Sequence, residues 1–202
     1  MNTALLAVAA YLIGSVSFAV IVSLAFRLPD PRSYGSGNPG ATNVLRSGRK
    51  SAAVLTLLGD TLKGWVAVWL AARFAAPDSV ELAMALAAVL SVLGHMYPVF
   101  HRFEGGKGVA TALGVLLALN LYIGLGAAGT WVIMAVFFRM SSLASMTAAV
   151  FAPFAAWMLY GFLHPFFASV SGIAMLLIYR HQANIKKIIA GTESKLGQKA
   201  KP

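Results

Sequence analysis

The sequence predicts an all-α, polytopic integral membrane bundle of about seven transmembrane helices, N-terminus outside and C-terminus cytoplasmic. Three observations carry that expectation. Of 202 residues, 59% are hydrophobic and only 11% charged, against roughly 45–50% and about 25% in a soluble domain. The apolar residues fall in successive runs, most of them near the about 20 residues a spanning helix needs. The formal net charge of +10 gathers in the connections between alternate runs, as basic residues do on the cytoplasmic side of a membrane.

Length and class allow one domain over residues 1–202. A basic soluble chain would suggest nucleic acid, but the apolar runs override that. The charge reads instead as topology, and as attraction to anionic head groups or phosphorylated substrates. The absence of cysteine excludes a disulfide or a thiolate metal site. There is no HExxH or carboxylate cluster, so no metal is expected. No nucleophile elbow or cysteine nucleophile points to a stable acyl-enzyme.

The first apolar run, residues 3–26, has its positive flank after it, which argues for a retained helix rather than a cleaved signal. Residues 27–50 form a loop punctuated by Pro29, Pro31, Gly35, Gly37, Pro39, Gly40 and Gly48. A second span covers 51–76 and contains Asp60 and Lys63 at helical i, i+3 spacing. Charges there are functional hypotheses by default; a mutually compensating pair that fixes helix packing is the favoured reading. A third span covers about 80–100, followed by a polar insert at 101–108.

The next 31 residues, 108–138, carry no charge. That is long for one span and short for two. A single crossing would put Arg139 and the lysine-rich tail outside, against the positive-inside rule. A hairpin turning near Asn120 puts both inside and leaves Arg73 as the single outer basic residue. Its first leg rises only about 18 Å in a slab about 30 Å thick, so the polar insert should dip below the membrane surface, where irregular backbone needs a cavity or protein around it. Residues 140–179 read as two helices broken near Gly161–Pro165. The last few residues of the tail, 192–202, are expected to be mobile.

Three polar stretches carry the chemistry. In the first, glycines around Ser36, Asn38, Thr42 and Asn43 expose backbone N–H groups in the manner of anion-binding nests, and Arg46 adds a planar fork suited to phosphate. A tight helix connection is the competing explanation. In the second, Gly105, Gly106 and Gly108 bracket Lys107 before a helix, a setting that suits a phosphate monoester. A glycine turn with a snorkelling lysine would look the same. It is not a Walker A loop, because His101 and Gly108 stand where that motif needs Gly and Ser or Thr. The third, from Arg180, continues the last helix and puts His181 and Asn184 on one face; Lys186, Lys187 and Lys195 are most simply positive-inside anchors.

Together these stretches resemble the three signature motifs of the bacterial acyl-phosphate-dependent glycerol-3-phosphate acyltransferases, the PlsY family. The match runs through Gly35-Ser-Gly-Asn-Pro-Gly-Ala-Thr-Asn43 with Arg46, then Gly94 to Thr111, then Arg180-His-Gln-Ala-Asn184 with Gly191 and Glu193. The resemblance implies acyl transfer from acyl phosphate to glycerol 3-phosphate, with no metal or organic cofactor, at a site facing the cytoplasm of a bacterial inner membrane. It implies catalytic roles for Ser36, Arg46, His181 and Asn184. It implies substrate-binding roles for Asn38, Thr42, Asn43, Gly105, Gly106, Lys107 and Gly108, and supporting roles for Asp60, Lys63, His95 and Glu193. His181 or a phosphate oxygen of the donor would be the base. The expected partners are the two substrates, the bilayer and a peripheral acyl-phosphate synthase; no nucleic acid is expected. A phosphate or organophosphate transporter is the alternative, and a non-catalytic scaffold a third reading.

Overall fold

The computed structural model describes residues 1–197; the end of the tail, 198–202, including the residues expected to be mobile, lies outside the described residues. Regular structure among the described residues is helical throughout. The helices are α1 (Thr3–Gly14), α2 (Phe18–Ala25), α3 (Ala41–Leu45), α4 (Lys50–Phe74), α5 (Val80–Met96), α6 (Val109–Leu119), α7 (Leu121–Phe138), α8 (Ser141–Tyr160), α9 (Pro165–Arg180) and α10 (Gln182–Ile189).

Among the described residues, five stretches are long and apolar enough to cross a bilayer: Thr3–Ala25, Lys50–Phe74, Pro77–His101, Leu121–Phe138 and Ser141–Tyr160. Two further apolar helices, α6 and α9, are shorter. Large apolar side chains such as Leu24, Trp69, Val136, Phe137 and Met158 point outward. Water would not tolerate so much exposed apolar surface; lipid covers it in an integral membrane protein.

Because lipid is as apolar as leucine, helix association here depends on close packing around small residues. α4 packs on α5 and α6, α1 on α4 and α5, and α8 between α7 and α9. At the α4–α6 contact a Cβ on Gly114 would lie 1.8 Å from the Thr61 carbonyl oxygen, so only glycine permits this approach. The main core gathers Val92 and Met96 from α5, Val115 and Leu116 from α6, Ile123 from α7, and Val170 and Ile173 from α9.

The 31-residue run divides at Asn120. Its Oδ1 accepts from Tyr122 N at 2.9 Å and Ile123 N at 3.3 Å, capping α7, while its Nδ2 donates to Tyr160 Oη at 2.8 Å. α6 spans only 11 residues, about 16 Å, and the loop before it runs from exposed Arg102–Glu104 to buried Gly106 and Gly108.

Two expectations of continuity fail. Residues 3–26 are not one helix: the chain breaks between Gly14 and Phe18, where Ser17 caps α2. The break frees the Val16 carbonyl, which accepts from Lys63 Nζ at 2.6 Å, and Ser15 Oγ accepts from Val99 N at 3.4 Å. Tertiary partners here replace the helical bonds that the apolar pattern alone would extend. Likewise the last helix does not run on through residue 181. α9 stops at Arg180 and α10 begins at Gln182, with His181 at the bend (φ −97°, ψ 7°).

Candidate functional site

The loop after α2 owes its shape to Asn43. Its Nδ2 donates to the carbonyls of Pro31 at 2.7 Å and Tyr34 at 3.1 Å, and its Oδ1 accepts from Ser36 N at 2.9 Å. Asn43 is buried, so its side chain holds the loop. The bend it fixes brings Ser36, Asn38 and Thr42 to the wall of a cavity. Arg46 follows at the end of α3 and donates from Nη2 to Ser194 Oγ at 2.5 Å.

The polar insert between α5 and α6 is gripped from two sides. Gly106 N donates to the His95 carbonyl at 3.1 Å. Arg180 donates to the carbonyls of Gly105 at 2.9 Å and Gly106 at 3.1 Å, and its guanidinium lies over the Tyr97 ring. The insert ends at Gly108, whose φ of +84° suits glycine and turns the chain into α6. Lys107 is thereby aimed at α10, where Nζ donates to Asn184 Oδ1 at 2.5 Å. Asn184 Nδ2 donates in turn to Glu193 Oε1 at 2.7 Å, which also accepts from Ser142 Oγ at 2.6 Å.

Below this layer Lys63 Nζ lies 2.8 Å from Asp60 Oδ1 and 2.9 Å from His95 Nδ1. The i, i+3 pair on α4 is thus formed, fully buried, and extended to His95 on a second helix, α5. Breaking it from one side would leave an uncompensated buried charge, at a cost of about 3–5 kcal/mol.

His181 is 2% exposed. Its Nδ1 lies 2.7 Å from the Leu177 carbonyl. A carbonyl only accepts, so Nδ1 carries the proton and Nε2 keeps its lone pair. Burial pushes the imidazole from its usual 6.5 down to about 4; the Leu177 bond opposes the fall and Lys107 adds to it. His181 is therefore neutral near pH 7, with a free acceptor nitrogen. Burial also pushes the Lys107 ammonium from 10.5 down to about 8, opposed by Glu193 and reinforced by Arg46, Lys187 and Arg180.

Most of these groups open into one cavity of about 630 Å³. Its polar mouth holds Ser36, Asn38, Thr42, Arg46, Lys107, His181, Asn184 and Glu193. Gly108, Asp60 and His95 also line it, while Gly105, Gly106 and Lys63 support it from behind. From the mouth an apolar arm runs between α6, α7, α8 and α9, past Leu116, Ala127, Ala152 and Val170. Ala152 lies about three turns along α8 from Ser141, roughly 16 Å deep. The wall includes Leu57 and Val132, which are 44% and 53% exposed. Such a space can hold an anion at the mouth and an alkyl chain in the arm.

Sequence reasoning left three contributors without a role. Ser142 and Ser194 are isolated hydroxyls without a spacing signal. Arg180 stands inside the third stretch, where its charge next to glycine-rich backbone was the available clue.

One pH dependence follows from Lys107. The ammonium is charged below its pKa and neutral above it, so affinity for a phosphate monoester should fall as pH rises through about 8. Lys107→Arg should remove that limb, because guanidinium stays charged. Calorimetric titration between about pH 6.5 and 9.5 measures both; equal affinity across the range in the unaltered protein would refute it.

The comparisons with known proteins agree with this geometry. The family model described as glycerol-3-phosphate acyltransferase matches residues 4–191. A glycerol-3-phosphate acyltransferase of Ralstonia nicotianae is 60% identical over 99% of this chain and 97% of its own length. One from Burkholderia pseudomallei is 60% identical over 100% of this chain and 98% of its own. Among solved structures, PlsY (YgiH), an integral membrane glycerol 3-phosphate acyltransferase, superposes in its glycerol 3-phosphate form with a TM-score of 0.89. It is 37% identical, over 96% of each chain.

Proposed function

The chain belongs to the glycerol-3-phosphate acyltransferase family, integral membrane enzymes of phospholipid synthesis, and from that premise we propose that its donor is an acyl phosphate. The acceptor oxygen is the 1-hydroxyl of glycerol 3-phosphate, and the products are 1-acyl-glycerol 3-phosphate and inorganic phosphate. Membership in an enzyme family sets the transporter and scaffold readings aside. A single observation carries the reading: one cavity joins a mouth bearing Arg46 and Lys107 to an apolar arm between the helices. Two phosphate-bearing substrates need two cationic anchors, and one of them needs room for a hydrocarbon tail.

In this mechanism Arg46, with Ser36, Asn38 and Thr42, holds the acyl phosphate, and Lys107 with the Gly105–Gly108 turn holds glycerol 3-phosphate. The hydroxyl oxygen attacks the acyl carbon, the carbon–oxygen bond to phosphate breaks, and phosphate leaves with the bonding electrons. The hydroxyl proton passes to His181 Nε2 or to a phosphate oxygen of the donor. Positioning and electrostatic stabilisation do most of the work, since the acyl group is already activated. Asn43 and Glu193 act as positioning residues on this reading, because the Asn43 amide and Glu193 Oε1 are spent on protein partners.

For topology we infer seven crossings in a bacterial cytoplasmic membrane, with α6 and α9 as the two short ones, the N-terminus outside and the C-terminus inside. The mouth then faces the cytoplasm, and of the 16 Lys and Arg residues only Arg73 lies outside. A soluble acyl-phosphate synthase would meet this basic inner face.

The test is phosphate release by purified protein given acyl phosphate with and without glycerol 3-phosphate. Release that depends on glycerol 3-phosphate supports the reading; none in its presence overturns it. The same assay addresses His181. His181→Ala should lower kcat by about a hundredfold, within the usual 10²–10⁴ for a proton-transfer group, while KM for glycerol 3-phosphate changes little. If His181 is the base, the acid limb of kcat/KM in the unaltered enzyme lies near 4, where its ring becomes protonated, whereas a phosphate base would put the limb near about 6. Normal turnover in His181→Ala would eliminate the histidine base.

A further inference from the structure

His95 carries a proton that nothing in the protein uses. The Lys63 ammonium is surrounded by Asp60 Oδ1 at 2.8 Å, the Val16 carbonyl at 2.6 Å and His95 Nδ1 at 2.9 Å. An ammonium only donates, so Nδ1 accepts and the ring proton resides on Nε2. The residue is 8% exposed, and among the described residues Nε2 has no hydrogen-bond partner. A donor that opens into a cavity and has no protein partner is left for a ligand oxygen to satisfy. Nε2 faces the Cα of Gly106, where a Cβ would come within 2.1 Å, and His95 lines the same cavity as Lys107.

We propose that His95 is a substrate-binding residue whose Nε2–H donates to an oxygen of glycerol 3-phosphate held beside the Gly106–Lys107 turn. The proposal rests on the acyltransferase reading above. α5 contributes His95 and no other residue to the cavity wall. The apolar arm draws mainly on α6 to α9, so His95 belongs to the water-soluble substrate rather than to the acyl donor. On this account the Asp60–Lys63 pair does more than balance charge: it fixes the tautomer that leaves the donor pointing into the cavity.

Two substitutions separate the two ring nitrogens. In His95→Asn the amide oxygen falls near Nδ1 and still accepts from Lys63, but nothing reaches the position of Nε2. In His95→Gln the amide nitrogen reaches the position of Nε2 and restores a donor. His95→Asn should raise KM for glycerol 3-phosphate about tenfold, with kcat and KM for acyl phosphate within about twofold, and His95→Gln should recover most of the loss. An unchanged glycerol 3-phosphate KM in His95→Asn overturns the proposal, as does an equal rise in both KM values.

If the asparagine variant does not fold, histidine ¹⁵N NMR of the unaltered enzyme decides. The expected result is an Nε2–H tautomer for His95 whose resonance moves on adding glycerol 3-phosphate. An Nδ1–H tautomer, or a resonance that stays put, overturns the proposal. That titration needs no turnover, so absent wild-type activity would count against the acyl-phosphate reading while leaving the role of His95 decidable.

Discussion

Arg46→Ala should lower kcat about a thousandfold, the upper range for deleting one donor aimed at developing charge. The guanidinium reaches the cavity mouth from the end of α3, where Nη2 donates to Ser194 Oγ. That contact orients one nitrogen and leaves the remaining N–H groups for a phosphate. Charge accumulates on the donor phosphate as it departs, so the loss should fall on kcat more than on KM. Arg46→Lys should recover only part of it, since an ammonium cannot grip two oxygens in one plane. Steady-state kinetics in detergent or vesicles, with melting temperatures alongside, would measure this. A drop of less than about tenfold in Arg46→Ala would remove Arg46 from the transition state.

Gly106→Ala should cost about a hundredfold in kcat/KM for glycerol 3-phosphate, the penalty expected when a positioning element shifts by about 1 Å. The new Cβ would stand 2.1 Å from His95 Nε2 and 3.0 Å from its Cε1. The ring has little room to yield, because Lys63 holds Nδ1 at 2.9 Å. The turn has little room either, because Arg180 holds the carbonyls of Gly105 and Gly106. Something has to move, and overpacking of this kind costs about 1–3 kcal/mol. Gly172→Ala is the control: nothing lies within 4 Å of its would-be Cβ, and activity and melting temperature should stay near wild type. Gly106→Ala with unaltered kinetics would mean that the turn does not position Lys107.

Much of this architecture was legible in the residues. The hairpin at Asn120 followed from an uncharged run too long for one span and from the sign of the flanking charge; the structure places the turn there, capped by the Asn120 side chain. The gathering of Ser36, Arg46, Lys107, His181 and Asn184 around one cavity was anticipated from glycine-rich loops and cations suited to phosphate. The break at Ser15–Ser17 was not legible, since Ser-Val-Ser in an apolar run is compatible with helix, and what opens it is Lys63, 47 residues away. The bend at His181 escaped for a similar reason: Arg180-His-Gln-Ala-Asn184 has good helical composition. Asn43 read as a neutral donor for substrate, yet its amide is occupied by Pro31, Tyr34 and Ser36, a pairing that spacing along the chain cannot reveal.

The three contacts of Lys63 bear on how the chain is made. Val16 precedes the lysine and Asp60 travels with it, but His95 is synthesised 32 residues later. A nascent chain that has delivered α4 to the translocon therefore carries an ammonium still short of one acceptor. The span holding Asp60 and Lys63 is also the least apolar of the five long ones, with a mean hydropathy of 1.3. Only with the arrival of α5 does the Lys63 ammonium gain its third acceptor, so α4 is not fully matched to its surroundings until the next span is made.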